Sequence, residues 1–300
     1  MNKKIEIIAP SFYANLTAKH KKNVENVLKK YGYQTSWGKN AFKKTVQLSG
    51  KQFMAKDSER LADLVKAFKA NPEVVMAVRG GGGVARLLPL IDWNVLKKST
   101  SLLVGFSDTT VLQNAYYAKT GKPSITGMLA GYLKEKPQST IITSFFNILN
   151  KGAMDFKGVP CYTKGTASGV LIGGNLASFA SLVGTPYMPS CKGKILLLEE
   201  VEEPPYKLDS MLTHLKNAGV FNQVAGVLLG DFYQCRNTYD TSDDNAYKVL
   251  KNFFKDFKIP VVYGLPYGHT PQHFCLPFGT TATLDTKKGV VHIDGIKKRC

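Results

Sequence analysis

The chain has 300 residues, of which 44% are hydrophobic and 21% charged, a balance typical of one large globular domain or two of ordinary size. Its 40 Lys and Arg exceed its 22 Asp and Glu, giving a net charge of +18, but the lysines are dispersed and no nucleic-acid-binding motif accompanies them, so we expect no nucleic acid partner. No apolar run reaches the roughly 18 residues of a membrane helix and no signal peptide is recognisable, so we expect a cytoplasmic protein without a membrane partner.

The first part of the chain alternates strand and helix patterns. IEIIAP (5–10) is the first predicted strand, and two amphipathic helices and the strand EVVMAV (73–78) follow. The apolar run SLLVGF (101–106) is the next strand, and DTTVLQNAYYAKTG (108–121) reads as a helix. Strands that alternate with helices of this length predict parallel βαβ units. We therefore predict an N-terminal α/β domain over residues 1–130.

The pattern loosens between residues 131 and 165, where we place a connection between domains. The C-terminal domain is predicted over 166–300, with strands in KILLLEE and VAGVLLGDF and a closing hairpin in TTATLDTKKGVVHIDG. The chain's five cysteines are scattered singly, which argues against both a disulfide framework and a zinc site.

A cluster of four glycines, RGGGG (79–83), follows the strand EVVMAV. Glycine permits positive φ and close approach of the backbone to a ligand, so the N–H groups of this loop could bind phosphate or an oxyanion. The sequence matches neither phosphate-binding glycine motif, which favours the oxyanion interpretation. A simple tight turn between strand and helix is the structural alternative.

Ser107, in GFSDTT, stands between a predicted strand and a predicted helix. This is the context of a nucleophile elbow, although the second glycine of G-x-S-x-G is missing. In that arrangement the backbone N–H of Asp108 points toward an oxyanion, and its side chain is free to hold the turn. A serine before a helix can equally be a cap, so the residues alone leave both readings open.

A nucleophilic serine needs a base, and a base needs an acid to orient it. His269 and His273 lie in a Pro- and Gly-rich loop after the strand IPVVYG, where site residues are often found, whereas the other histidines lie on predicted helices or the last hairpin. Glu199 is the first carboxylate after a buried strand. The acids that follow it could suggest a metal, but no histidine lies at ligand spacing, and an acidic loop is the alternative.

Several segments in this order resemble the LD-carboxypeptidase family, which includes the microcin-immunity peptidases. They are IIAPSF, AVRGGGGVARLLPLIDW, VGFSDTTVL, GVLIGGNLASF, LLLEEVEEPPYKLDSMLTHL, GVLLGDF and GLPYGHTPQHFCLPFG. The resemblance implies an N-terminal parallel-sheet α/β domain and a smaller C-terminal α+β domain, with the active site at their interface. It also implies a catalytic triad, which carries onto Ser107, Glu199 and His269.

The resemblance further implies an oxyanion hole formed by the backbone N–H groups of Gly81, or a neighbouring glycine, and Asp108. Gly82, Arg79 and Arg86 are candidate substrate-binding residues. The sequence also departs from the family pattern, because Gly82 replaces a usual tyrosine. Further departures are Glu200 for Asp, Glu202 for Gly, and Ser210 for Arg.

The implied function is a serine carboxypeptidase that releases the terminal D-alanine from murein tetrapeptides during peptidoglycan recycling, with no metal or cofactor. A homodimer is left open. One alternative keeps the triad but gives it a peptide-nucleotide antibiotic of the microcin type as substrate. A more distant alternative is a basic RNA-binding protein without enzymatic activity, which would bind RNA with a steep salt dependence.

Overall fold

A computed structural model describes residues 3–50, 52–135, 139–236 and 245–297. Its first part contains seven strands: Lys4–Ile8 (β1), Gln34–Trp37 (β2), Val46–Ser49 (β3), Gln52–Met54 (β4), Val74–Ala77 (β5), Leu102–Gly105 (β6) and Ser124–Thr126 (β7). Four helices lie between them: Ala18–Lys30 (α1), Asp57–Ala70 (α2), Trp93–Lys98 (α3) and Thr110–Thr120 (α4).

The remaining helices are Ser139–Leu149 (α5), Leu176–Ala180 (α6), Pro205–Asn217 (α7) and Ala246–Phe254 (α8). The remaining strands are Met154–Lys157 (β8), Cys161–Thr163 (β9), Thr166–Asn175 (β10), Ile195–Val201 (β11), Gly226–Tyr233 (β12), Val261–Val262 (β13), Leu276–Phe278 (β14), Thr281–Asp285 (β15) and Val290–Ile293 (β16). The predicted closing hairpin is β15 and β16, which pair antiparallel.

The first sheet is covered by helices on both faces. Successive residues of a strand point to opposite faces, and in β1 both Ile7 and Ile8 are buried. Ile7 packs in a cluster with Leu28 of α1, whereas Ile8 packs in a separate cluster with Leu64 of α2. Strands buried on both faces read as continuous apolar runs, as VVMA in β5 does, whereas β1 is interrupted by Glu6.

This sheet has the order β14-β7-β6-β5-β1-β2, and its strands are parallel except for β14. The second sheet has the order β8-β16-β15-β10-β11-β12-β13-β9, with β10 to β13 parallel and the other pairings antiparallel. The predicted class, a parallel-sheet α/β part followed by a second part of mixed structure, is confirmed.

The segment 131–165, predicted as a connection, contains regular structure. It includes helix α5, and β8 and β9 form the two edges of the second sheet. The chain also crosses back later, since β14 follows β13 of the second sheet but pairs with β7 of the first. The loop between β13 and β14 therefore passes from one sheet to the other, and it carries His269.

Polar contacts join the two parts beside the end of β6. The amide of Asn114 on α4 donates to the carbonyl of Gly173 at 2.8 Å and accepts from its N–H at 3.1 Å. The N–H of Asn175 donates to the Thr110 hydroxyl at 3.2 Å. Thr110 and Asn114 lie on α4, the helix that follows Ser107, and Gly173 and Asn175 lie on β10. These bonds therefore fix β10 against that helix. Among the described residues, no helix is both long and apolar enough to cross a membrane.

Candidate active site

Ser107 lies two residues after the end of β6, at the start of a short 3-10 turn that leads into α4. Its φ is +62°, a left-handed conformation that is costly for a residue with a side chain. The N-cap residue of α4 is Thr109, and no side-chain hydrogen bond caps this helix. Ser107 therefore occupies a strained turn between strand and helix and is not the side-chain cap of α4.

The glycine loop passes against Ser107. A Cβ atom on Gly80 would lie 2.7 Å from Cβ and 2.8 Å from Oγ of Ser107, so only glycine fits there without displacing the serine. Gly81 has a φ of +126°, and a Cβ on it would lie 2.2 Å from the Phe12 ring. Among the described residues, the exposed Gly81 N–H has no hydrogen-bond partner. It is thus available to a ligand beside the serine.

The side chain of Asp108 holds the glycine loop to the start of the chain. Its Oδ2 accepts hydrogen bonds from the Ser11 hydroxyl and, at 3.2 Å, from the Val84 N–H. The same Ser11 hydroxyl lies 3.3 Å from the Gly82 carbonyl oxygen. Burial raises the pKa of Asp108 above its ordinary value, although both hydrogen bonds oppose that shift. The acid after the serine therefore positions the loop that faces the serine.

Glu199 and His269 form a close pair on the second part of the chain. Nδ1 of His269 lies 2.8 Å from Oε2 of Glu199, whose side chain is completely buried near the end of β11. The register between β11 and β12 shifts between Leu198 and Glu200, an irregularity of the kind that re-aims side chains. Among the described residues, Oε1 of Glu199 is buried without a hydrogen-bond partner. The second carboxylate oxygen thus remains an acceptor without a donor among these residues.

The environment of His269 favours its protonated form. Burial acts to lower its pKa, but the hydrogen bond and charge of Glu199, with the charges of Glu200 and Glu202, raise the pKa above 6.5 overall. Since Nδ1 faces a carboxylate, this nitrogen carries the proton in the neutral ring, and Nε2 is left with its lone pair. That is the tautomer a general base requires.

The aromatic residue before Ser107 links the two halves of the site. The ring of Phe106 lies 4.5 Å, centroid to centroid, from the ring of His269. Among the described residues, the Ser107 hydroxyl makes no hydrogen bond, so the structure brings His269 beside the serine turn without a Ser107–His269 bond. Such bonds are often long in enzymes without substrate and tighten when substrate binds.

His273 is fixed elsewhere. Both ring nitrogens face backbone carbonyl oxygens, that of Thr270 at 2.8 Å and that of Gly127 at 2.7 Å, and the ring stacks on Phe106 at 5.2 Å. With its nitrogens occupied and only 2% of its surface exposed, His273 fastens the loop that carries His269. This division between the two histidines could not be derived from residue patterns alone.

The candidate substrate-binding residues differ in position. The Arg79 guanidinium lies 5.5 Å from the Phe12 ring centroid and lines a cavity beside the glycine loop. Arg86 is exposed on the 3-10 segment that follows this loop. Beside Gly82, a Cβ would have only ordinary contacts, 3.5 Å to Phe12 and 3.7 Å to Leu48. The missing tyrosine side chain therefore leaves room at this position.

The acids after Glu199 do not form a metal site. Among the described residues, no group of three potential ligands is placed to bind a metal ion. Glu200 instead accepts hydrogen bonds from the Asn175 amide at 2.7 Å and the Ala177 N–H at 2.8 Å, which fixes the start of α6. Burial, and secondarily the charge of Glu199, raise the pKa of Glu200 to about 7.

Sequence reasoning missed several residues that build the site. Ser11, Phe106 and Asn114 were not singled out, because each is an ordinary apolar or small polar residue within a strand or helix pattern. Ser11 did carry a signal, since it directly follows the Pro that ends the first strand segment. Nothing in the sequence indicated that Asn114 would meet Gly173, which is 59 residues away.

Two family models match the chain: the LD-carboxypeptidase N-terminal domain at residues 5–127 and the LD-carboxypeptidase C-terminal domain at residues 168–284. The chain is 32% identical over 241 residues to the murein tetrapeptide carboxypeptidase of Pseudomonas aeruginosa, covering 76% of this chain and 77% of that protein. It is 27% identical over 255 residues to the microcin C7 self-immunity protein MccF of Escherichia coli, covering 72% of each.

The crystal structure of muramoyltetrapeptide carboxypeptidase from Oxalobacter formigenes has the same fold, with a TM-score of 0.84 at 29% identity over 99% of this chain and 100% of that one. The fold and these matches define a two-part α/β peptidase. The chain belongs to the LD-carboxypeptidase family, and the resemblance predicted from its motifs is confirmed.

Proposed function

We propose that this protein is a serine carboxypeptidase that releases the terminal D-alanine of murein tetrapeptides, using Ser107, His269 and Glu199 as its triad. The observation that carries the proposal is the 2.8 Å contact between the His269 imidazole and the fully buried Glu199 carboxylate. His269 lies beside the turn that carries Ser107, whose φ is +62°. A buried acid, an oriented imidazole and a strained turn serine form the set of groups that acyl transfer needs.

In the proposed reaction, Nε2 of His269 accepts the Ser107 hydroxyl proton as Oγ attacks the carbonyl carbon of the scissile amide. Glu199 holds the ring through Nδ1 and stabilises the imidazolium that forms. The imidazolium then gives its proton to the departing amine as the C–N bond breaks, which leaves an ester on Ser107. Water, deprotonated by the same imidazole, hydrolyses this ester and restores the serine.

The negative charge that develops on the carbonyl oxygen needs donors that are already in place. The unpartnered N–H of Gly81 supports one such donor, and the Asp108 N–H at the start of the turn is the second in our proposal. The hydrogen bonds that the Asp108 carboxylate accepts from the Ser11 hydroxyl and the Val84 N–H keep the loop in position. One donor of this kind is commonly worth about 3 kcal/mol of transition-state stabilisation.

The substrate class in this proposal follows from the named relatives and from charge. A murein tetrapeptide carries several carboxylates, and a protein with a net charge of +18 attracts anionic ligands. We place the reaction in the cytoplasm, in the recycling of peptidoglycan fragments. Neither metal nor cofactor has a step in this mechanism.

The test is incubation of the protein with a murein tetrapeptide, followed by mass spectrometry. We expect the loss of one alanine with the wild type and none with Ser107→Ala, provided that circular dichroism shows the variant to be folded. Alanine release by a folded Ser107→Ala variant at the wild-type rate would contradict the proposed nucleophile.

A second candidate substrate is a peptide-nucleotide conjugate of the microcin type. Relatedness to MccF favours it, as does the open space at Gly82, which could receive a larger group. A competition between a murein tetrapeptide and an aminoacyl sulfamoyl adenosine separates the two candidates, because the preferred substrate has the higher kcat/KM. Serine labelling by a fluorophosphonate would also exclude the RNA-binding alternative, which has no reactive serine.

A further inference from the structure

A cavity of about 440 Å³ lies at the carboxyl ends of the first sheet's strands. Its polar lining comes from the segments that follow β1, β5 and β7: Asn15, Arg79, Tyr132, Lys134 and Glu135. In open parallel sheets, ligands bind at this end of the strands. Ser107 follows β6, which lies between β5 and β7, so the cavity and the proposed nucleophile share one edge of the sheet.

The cavity offers more positive than negative charge. In the part of the chain that the structure describes, neither Arg79 nor Lys134 forms an ion pair. The Arg79 guanidinium instead rests on the Phe12 ring at 5.5 Å. The single acid, Glu135, has a side chain that is 71% exposed and lies 3.9 Å from Nε2 of His20. An anion inside the cavity would therefore meet two cations against one acid.

Besides the two cations, the cavity is lined by a neutral hydrogen-bond donor, Tyr132. Burial, and then the charges of Glu199 and Cys275, raise the pKa of Tyr132 well above its ordinary value, so its hydroxyl keeps its proton. The ring of Tyr132 meets the ring of His273 edge-on at 5.6 Å, and His273 stacks on Phe106. This wall of the cavity is thus continuous with the residue that precedes Ser107.

Arg79 is also close to the serine along the glycine loop. It immediately precedes Gly80, the residue that packs against Cβ and Oγ of Ser107. Consecutive Cα atoms are about 3.8 Å apart, and an arginine side chain extends further than that. The Arg79 guanidinium can therefore hold a substrate carboxylate that is only a few bonds from the amide attacked by Ser107.

We propose that Arg79, which lines this cavity, binds the C-terminal carboxylate of the departing amino acid and thereby restricts the enzyme to the last residue of its substrate. This inference rests on the proposed function and deepens it. The planar guanidinium can donate two parallel hydrogen bonds to one carboxylate, which fixes its orientation as well as its distance. Lys134, Asn15 and the Tyr132 hydroxyl complete the anion site.

The experiment compares a murein tetrapeptide with the same peptide carrying a C-terminal carboxamide, which removes the charge but keeps the scissile bond. For Arg79→Met we expect kcat/KM on the free acid to fall roughly 100-fold, because a charged, bidentate contact is lost. The carboxamide, which never made that contact, should be cleaved at an unchanged rate. The wild-type preference for the free acid should therefore disappear.

Two controls make this result specific. Lys97→Met removes one positive charge from an exposed position on α3 and should keep the wild-type preference. Arg79→Lys keeps the charge without the planar donor pair and should give an intermediate loss, which also covers the case in which Arg79→Met does not fold. An unchanged acid-to-amide ratio in both Arg79 variants would overturn the proposal.

If the proposed triad is wrong, the experiments give a different result from the one expected if only the role of Arg79 is wrong. If Ser107→Ala releases alanine like the wild type, the triad is wrong, whatever Arg79 does. If Ser107→Ala is inactive and fluorophosphonate labels Ser107 equally in the wild type and Arg79→Met, but both peptides are cleaved as by the wild type, only the role of Arg79 is refuted.

Discussion

Replacing Ser107 by glycine should stabilise the fold relative to replacement by alanine. Ser107 has a φ of +62°, and its hydroxyl makes no hydrogen bond to a described residue, so both substitutions lose the hydroxyl equally and the two variants differ only by the Cβ atom. A residue with a Cβ pays roughly 1–2 kcal/mol for a left-handed conformation. Glycine avoids that cost but returns part of it, roughly 0.5–1 kcal/mol, through the greater entropy of the unfolded chain. The expected net gain is about 1 kcal/mol.

The assay is thermal and urea unfolding of Ser107→Gly and Ser107→Ala, both of which should be inactive on a murein tetrapeptide. For a chain of this size, a difference of about 1 kcal/mol raises the melting temperature by about 2 °C. The matched control is Ser181, an exposed residue with a φ of −64°. There the alanine variant should be the more stable, by roughly 0.5–1 kcal/mol. If glycine is not favoured over alanine at position 107, the serine is not strained and this reasoning is refuted.

Four further predictions concern the site. Gly80→Ala should lower kcat/KM about 100-fold by pushing Ser107 away, since the added Cβ would lie 2.7 Å from Cβ and 2.8 Å from Oγ of Ser107. The same crowding should lower the free energy of unfolding by roughly 1–3 kcal/mol. The acid limb of the kcat/KM pH profile should lie above pH 6.5, because His269 must lose its proton to act as a base and its pKa is raised. Glu199→Gln should move that limb to lower pH and reduce kcat about 10⁴-fold, since the charge that raises the pKa and the correct tautomer are both lost. His273→Ala should lower the free energy of unfolding by roughly 1–3 kcal/mol, because the ring's polar contacts with the Gly127 and Thr270 carbonyl oxygens are lost, and it should leave the acid limb where it is.

These predictions have distinct contrary outcomes. Wild-type activity in Gly80→Ala would mean that the glycine loop does not set the position of the serine. An acid limb that stays in place in Glu199→Gln would show that another group sets it. A shift of the limb in His273→Ala, at unchanged stability, would mean that the two histidines have been assigned the wrong roles.

The regular elements of the chain were largely predictable because each has a local cause. VVMA is apolar and buried on every residue, as expected for a strand that is covered on both faces, and in IEII only Glu6 is polar; both segments lie inside the first sheet. The helix after Ser107 is capped at its C-terminus by Gly121, whose φ of +67° is most favourable for a residue without a side chain. Such patterns depend only on residues that are close in the sequence, so they can be recognised before the fold is known.

The return of the chain to the first sheet was not predictable, because it depends on contacts between distant segments. Nothing in LPF indicates that β14 pairs with β7 of the first sheet. That pairing, with the hydrogen bond between Thr126 and Tyr267 at 2.7 Å, carries the His269 loop across to the serine. The sequence could nominate Glu199 and His269 as candidates, but their 2.8 Å contact is a product of the two-sheet arrangement.

The proposed mechanism requires that His269 activates Ser107. The most direct measurement is the rate at which a fluorophosphonate modifies the protein, with the modified residue located by peptide mass spectrometry. We expect the wild type to be labelled on Ser107 and folded His269→Ala to be labelled at least ~100-fold more slowly, the usual contribution of a general base. Modification of a different residue, or equal rates in the two proteins, would contradict the proposed triad.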